Sequence, residues 1–251
     1  MATYYWTGLN SGLFTLASNW QTAAGVTATE YPGQAQADAI VFDSRATAAL
    51  SSGLNQSANA NGISSVDWAD YPFDLGTLAA PLVLKMVTGT WALRNTGNYA
   101  LWLVNSASGA TITATMTAGY DVHLVSAGAL TLSVSGGAVE LESALFGISN
   151  VAPTLNIDGT ATVTLESGGG TVNLYSGTVY WNVGTITTLN NYGSTYLCNQ
   201  SFTARTITTP ISYGGVTDLR TGVPGTITLT NPIAYKGGTI YWDIGENLQR
   251  S

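Results

Sequence analysis

The feature that most restricts this chain is that it repeats. Thr185-Ile-Thr-Thr188 followed by Tyr192-Gly193 aligns with Thr206-Ile-Thr-Thr209 followed by Tyr213-Gly214, an offset of about 21 residues. A third copy starts at Thr226-Ile-Thr228, with Tyr235 and Gly237 after it, and weaker copies start at Thr111-Ile-Thr113 and Thr131-Leu-Ser133. A longer-range echo pairs Gly177-Thr-Val-Tyr-Trp-Asn182 with Gly238-Thr-Ile-Tyr-Trp-Asp243. A unit this short cannot bury its apolar side alone, so its copies must stack. Within a unit the apolar residues alternate with threonine: Ile186 faces one side of a strand, and Thr185 and Thr187 face the other. Strand, glycine turn and strand, closing every ~20 residues, predict an all-β chain: a right-handed parallel β-helix whose rungs pair at ~4.8 Å and stack Ile, Val and Leu into columns.

Composition agrees with stacked strands. The chain has 251 residues, of which 45% are hydrophobic and only 8% charged, so the polar remainder is Gly, Ser, Thr and Asn and charge-rich helices are excluded. No window carries sustained i, i+3, i+4 apolar spacing with charged flanks. The 29 glycines lie between β-branched runs such as Thr160-Ala-Thr-Val-Thr-Leu165, where they read as turns. The net charge is -7, and no Lys or Arg stands between Arg94 and Arg205, which argues against a nucleic-acid partner or an anionic lipid surface. No uncharged apolar run approaches the ~20 residues of a membrane span. Met1-Ala-Thr-Tyr-Tyr-Trp6 has neither a positive leader nor an apolar h-region, so synthesis and folding are expected in the cytoplasm. The single cysteine, Cys198, cannot form an intrachain disulfide.

Two regions are expected. Residues 1–75 read as an N-terminal aromatic cap with an irregular β segment: Trp6 and Trp20 among Gly and Asn, a Tyr31-Pro-Gly33 turn, the short strand Asp38-Ala-Ile-Val-Phe-Asp43, then a Ser- and Asn-rich stretch. Residues 76–251 read as the solenoid repeat domain. Open solenoid ends are exposed edges that polymerise, so the aromatic cap and the divergent Glu246-Asn-Leu-Gln-Arg250 tail are expected to block stacking.

Candidates for chemistry are few. His123 shares a strand face with Asp121, but no Gly-x-Ser-x-Gly elbow accompanies it, and a surface or rung-edge histidine is the expectation. Cys198 has no cationic neighbour to lower its pKa and reads as a buried structural thiol. Glu140 and Glu142 project from one strand face at ~6.5–7 Å, a spacing compatible with paired glycosidase carboxylates or with a solvated wall. Asp158 and Glu166 are placed to approach each other from adjacent turns. Asp67, Asp70 and Asp74 offer hard oxygen ligands without the spacing of a dedicated calcium loop. No catalytic residue, metal ligand or cofactor site is assigned. The aromatics Tyr175, Tyr180, Trp181, Tyr192, Tyr196, Tyr213, Tyr235, Tyr241 and Trp242 recur within the repeats. Of these, Trp181, Tyr192, Tyr213, Tyr235 and Trp242 are the expected interface or glycan contacts, because stacked Tyr and Trp pack cores, fill subunit interfaces or meet sugar faces.

Ile40-Val-Phe-Asp43, Gly53-Leu-Asn-Gln56 and the serial Thr-Ile-Thr-Thr-Leu, Gly-Thr-Val and Thr-Asn-Pro-Ile units resemble β-solenoid proteins encoded among tailed-phage structural genes. The likeness covers most of the chain and lies in its pattern, which adhesins and autotransporter passengers share. It implies a non-enzymatic virion part made in the host cytoplasm, a capsid decoration or cement protein that meets the major capsid protein or other virion proteins. A homotrimer is the expected state. The alternative is a glycan-binding or tailspike-like polysaccharide-degrading β-helix, and a surface adhesin is a third reading.

Overall fold

Alternation along each strand decides which side chains turn inward. In Thr154–Ile157 the residues Leu155 and Ile157 are buried while Thr154 and Asn156 are half-buried, and the same rhythm recurs in Thr162–Leu165 and Thr178–Trp181. Branched side chains suit this pleated, half-covered surface. The computed structural model describes residues 1–193, 204–220 and 227–241, together with the backbone of Tyr196–Cys198 and Gln249–Arg250. Its strands stack in parallel as a β-solenoid of about nine turns with roughly 21 residues per rung, as the repeat predicts. Among the described residues the helical content is one 3-10 turn, Ala17–Asn19, and no helix is long and apolar enough to cross a membrane. The chain divides into two compact units: Met1–Leu130 with Ala144–Val151, and Thr131–Ser143 with Ala152–Ser251.

In the first unit a parallel ladder runs through Thr3–Trp6, Asp38–Phe42, Ile63–Trp68, Met86–Arg94 and Thr111–Ala118. Trp20–Thr22 closes its start by pairing antiparallel with Thr3–Trp6. A second ladder joins Asn55–Gln56, Leu82–Leu84, Ala100–Asn105 and Asp121–Ser126. Parallel stacking therefore already runs through residues 1–75, because the Ser- and Asn-rich stretch makes the corners between strands. The aromatic residues expected there pack edge to face in a chain from Trp6 and Phe14 through Trp20, Phe42 and Tyr71 to Phe73, with centroids 5.0 to 6.0 Å apart. Each such pair contributes roughly 0.5–1.5 kcal/mol beyond burial. The Trp6 and Trp20 indoles donate to the carbonyls of Ala48 and Phe14, so neither buried N–H is wasted. Tyr71 accepts the Leu50 N–H at 2.8 Å, and burial pushes its phenol up to about 12.

An insertion decorates this unit. Ala144–Leu145 pairs antiparallel with Ile148–Ser149, and Leu145 packs on a column of Val83, Val104 and Val125, with Trp102 and Ile148 beside it. At its tip Phe146, 54% exposed, takes a left-handed φ of 54°.

In the second unit the longer ladder joins Ala129–Val134, Thr154–Ile157, Gly169–Leu174, Gly184–Asn191, Arg205–Ser212 and Ile227–Leu229. The shorter one joins Ala138–Leu141, Thr162–Leu165, Thr178–Trp181 and Tyr196–Cys198. Register places like residues above one another inside: Leu155, Val172 and Leu189 in one column, Val139, Val163 and Val179 in another, and Leu141, Leu165 and Trp181 in a third. Each buried apolar side chain contributes roughly 1.5–3 kcal/mol. Below Ile157 and Leu174 the same inward column turns polar at Asn191 and Ser212. The Asn191 amide donates to Val216 O and Thr217 Oγ1, leaving its buried Oδ1 without a hydrogen-bond partner, and the Ser212 hydroxyl donates to Gly237 O.

The expected alignment of Thr185–Thr188 on Thr206–Thr209 is the observed register, Thr185 on Thr206 and Ile186 on Ile207. The third copy is displaced by two residues: Thr206 faces Thr228 and Ile207 faces Leu229, with Thr226 outside the described residues. Turn length also varies, since equivalent positions Ser133, Asn156, Asn173 and Asn190 are separated by 23, 17 and 17 residues.

Stacking this closely forces glycine at the corners. A Cβ at Gly215, whose φ is +67°, would lie 1.1 Å from Gly193 O, and one at Gly193 would lie 1.6 Å from Tyr175 O. Gly215→Ala is therefore expected to cost about 2–4 kcal/mol through steric overlap and a left-handed backbone, read as a lower thermal midpoint; an unchanged midpoint would contradict this packing. Deleting residues 1–43 strips the aromatic chain and bares the Ile63–Trp68 edge. The truncated chain is expected to aggregate, and a soluble, monodisperse product on gel filtration would show that the first strands do not protect the edge.

Candidate functional site

On the longer ladder of the second unit the outward positions also fall into columns. The first is threonine throughout: Thr131, Thr154, Thr171, Thr188 and Thr209. Two residues further along each strand lies Ser133, Asn156, Asn173, Asn190 and Ile211. Two further still, at the corner, the same rungs carry Ser135, Asp158, Tyr175, Tyr192 and Tyr213, and Lys236 continues this column by one turn, the backbone N–H groups of Asp158, Tyr175, Tyr192, Tyr213 and Lys236 each donating to the turn before. Columns two residues apart on a strand lie ~6.5–7 Å from one another, and rungs repeat at ~4.8 Å. The result is a grid made mostly of hydroxyl, amide and phenol groups, with Ile211, Asp158 and Lys236 among them.

The asparagines form a ladder of their own. Asn173 donates its amide to Asn156 Oδ1 and Asn190 donates to Asn173 Oδ1, both at 2.9 Å. Each amide still has a second N–H and further lone pairs for a partner. The tyrosines stack face to face: Tyr175 on Tyr192 with centroids 5.1 Å apart and Tyr192 on Tyr213 at 4.6 Å, each pair tilted by only 9°. Lys236 Nζ caps the far end, 5.6 Å from the Tyr213 ring centre. At the other end the Ser176 hydroxyl, 2.8 Å from Asp158 Oδ1, and the Gly159 N–H hold the Asp158 carboxyl below the usual carboxylate range. The three rings are 47%, 41% and 38% exposed; both faces of Tyr192 are covered by its neighbours, while Tyr175 and Tyr213 each give one face to it. Desolvation, followed by the neighbouring Tyr213 and Tyr175 phenols, raises the Tyr192 pKa above the ordinary tyrosine value.

Other candidates sit elsewhere. Trp181 is fully buried, with its indole donating to Val183 O and the Arg205 guanidinium 5.3 Å over its ring, which corrects its placing as a surface contact: its strand position faces inward. Arg205 itself is buried, donates to Trp181 O at 2.8 Å and is pulled down to about 10 by burial. Tyr235 is exposed but aligns with Ser212, one place out of the tyrosine column, because the last turn is displaced; its hydroxyl donates to Gly238 O. Tyr180 is exposed on the shorter ladder, and Tyr241 lies under the Arg220 guanidinium. Trp242 and the side chains of Tyr196 and Cys198 lie outside the described residues.

His123 is buried, contrary to the expectation of a surface residue: its ring stacks on Trp102 at 3.5 Å and 3°, and its Nε2 lies 3.0 Å from Asp121 Oδ1. Glu140 stands opposite Thr164, with its carboxylate within 4.8 Å of that of Glu142, closer than strand spacing alone implies. Asp158 and Glu166 turn to different partners, Ser176 and Asn182, so they do not form the expected pair. Asp67 is held by Arg94 in a two-point ion pair, with Asp70 also acting on that guanidinium, and Asp74 accepts the Ala100 N–H. Sequence reasoning missed the asparagine ladder and the two charged ends of the tyrosine column. The signal was present as Asn156-x-Asp158, Asn173-x-Tyr175 and Asn190-x-Tyr192, at a 17-residue spacing that a search near 21 passes over.

No protein-family model, curated protein or solved structure matches this chain.

The stack makes one spectroscopic prediction. Tyr213→Ala removes a phenol from beside Tyr192, and the Tyr192 titration, followed by the chemical shift of its labelled ring carbon, is expected to move back toward the ordinary value; an unmoved titration would separate the two rings electrostatically.

Proposed function

We propose that this chain is a non-enzymatic structural protein that works by presenting a flat, nearly uncharged face to an assembly, as a capsid decoration or cement of a tailed phage. The observation that carries the reading is the grid of Thr, Asn and Tyr columns, ordered by its own ring stacking and by its amide ladder. A surface already ordered before contact loses little side-chain entropy on binding, and Thr, Asn and Tyr can be covered without stripping water from full charges. Such a face suits association with identical copies and with a repeating shell protein. The pattern resemblance to phage structural proteins and the scarcity of charged residues, 8% of the chain, support the virion role.

The second reading, a glycan-binding or tailspike-like polysaccharide-degrading β-helix, draws on the proximity of the Glu140 and Glu142 carboxylates, which is of the order retaining glycosidases use. It is the weaker one, because a sugar packs on an open aromatic face and the faces of Tyr192 are both taken by its neighbours.

Copy number in density-purified particles from the source culture, measured by mass spectrometry against the soluble lysate, decides between them. Hundreds of copies per particle are expected for a decoration or cement protein. A handful would point to a spike or fibre, and absence from particles would overturn the virion role and favour the glycan reading.

A further inference from the structure

The corner column of the second unit reads Ser135, Asp158, Tyr175, Tyr192, Tyr213, Lys236, one residue per turn. From Asp158 to Lys236 it carries a negative residue, three like rings and a positive residue. Turned end for end, the same order presents each charge to its opposite. We infer that this face is a two-fold interface on which a second copy of the chain docks with its column running the opposite way, Tyr192 against Tyr192 at the axis, each Tyr175 against the other copy's Tyr213, and each Asp158 against the other copy's Lys236.

Three observations select that partner, and the inference rests on the assembly reading above. The first is charge. Two copies of a chain of net charge -7 repel each other over most of their surface, so contact is favoured where the local charge sums to zero and opposite signs can meet. Asp158 and Lys236 are both exposed, and the Ser176 hydroxyl and Gly159 N–H keep Asp158 ionised at neutral pH. The second is repeat distance. The hydroxyl, amide and phenol groups recur at ~4.8 Å along each column, and a second solenoid face repeats at the same distance, so contacts made on one rung are made on all. The third is direction. Copies packed side by side in the same sense, as in a trimer around a parallel axis, would set Asp158 level with Asp158 and Lys236 level with Lys236. The reversed arrangement alone pairs unlike charges, and it makes the contact self-complementary.

The grid is small. Four complete rungs by three columns, with Lys236 one turn beyond, cover roughly 250 Å² per copy, below what a stable dimer buries. The contact is therefore weak in solution and becomes effective when copies are held on a repeating surface.

The test is sedimentation velocity on the full chain at low salt, at protein concentrations up to about 500 μM. The unmodified chain is expected to dimerise with a dissociation constant on the order of 100 μM. Asp158→Lys makes both ends of the column positive and Lys236→Asp makes both negative, so each variant alone is expected to associate at least about tenfold more weakly. Mixed in equal amounts they are expected to form a heterodimer, and the double variant D158K/K236D regains the homodimer. Recovery on mixing also shows that each variant is folded. Tyr192→Arg places two like charges at the axis and is expected to abolish dimers while leaving the circular dichroism spectrum intact. A chain that stays monomeric throughout overturns the inference, as does a trimer. An association indifferent to the charge reversals, or no recovery on mixing, overturns the reversed column while leaving self-association itself in place. Particle copy number, measured separately, bears on the virion role alone.

Discussion

Everything in this protein depends on the parallel backbone ladder, in which the N–H and C=O groups of each turn are satisfied by the turns on either side. A parallel pair holds residue over residue at ~4.8 Å, and once that spacing is imposed any side-chain type that recurs at one position becomes a column. Inside, the columns of Leu, Val and Ile supply the hydrophobic stabilisation that a single strand could never collect. Outside, the same rule turns scattered Asn and Tyr residues into an amide ladder and a ring stack. Core and candidate surface are consequences of one hydrogen-bonding pattern read from its two faces.

That pattern explains why so few charges suffice. Stacked turns bring identical positions together, so a charge repeated on every rung would repel itself at ~4.8 Å along a whole column. Neutral hydrogen-bonding side chains carry no such penalty, and Asn can bond to its own image above and below. On the stacked face Asp158 and Lys236 stand at either end of the tyrosine run, and in the first unit Asp67 is paired with Arg94. Arg205, which is buried, is held by a carbonyl and an indole face.

The fold was legible in the sequence because a period survives in the residues themselves. Thr185-Ile-Thr-Thr188 and Thr206-Ile-Thr-Thr209 announce both strand and register, and the structure pairs them residue for residue. The site was less legible. Trp181 and Tyr180 are adjacent, yet one is buried and the other exposed, and an aromatic-rich stretch by itself does not say which parity faces inward. Tyr235 misled for a different reason: it follows the repeat in sequence, but the last turn is displaced and the tyrosine position passes to Lys236. His123 could not be placed from its neighbours in sequence, since the surface that covers it belongs to Trp102 on the preceding turn. Register errors of one or two residues are invisible to composition and decisive for a surface.

The unequal turn lengths, 23 residues at one step and 17 at the next two, have an evolutionary consequence. Because register is fixed where strand meets strand, residues can be gained or lost at a corner while every column stays in line. The hairpin Ala144–Ser149, folded onto a valine column, is what such a gain looks like once it has found packing of its own. Descendants of this chain can thus differ widely in length and outline and still keep the grid intact, so kinship among them would be recorded in the spacing of outward side chains long after overall sequence identity had faded.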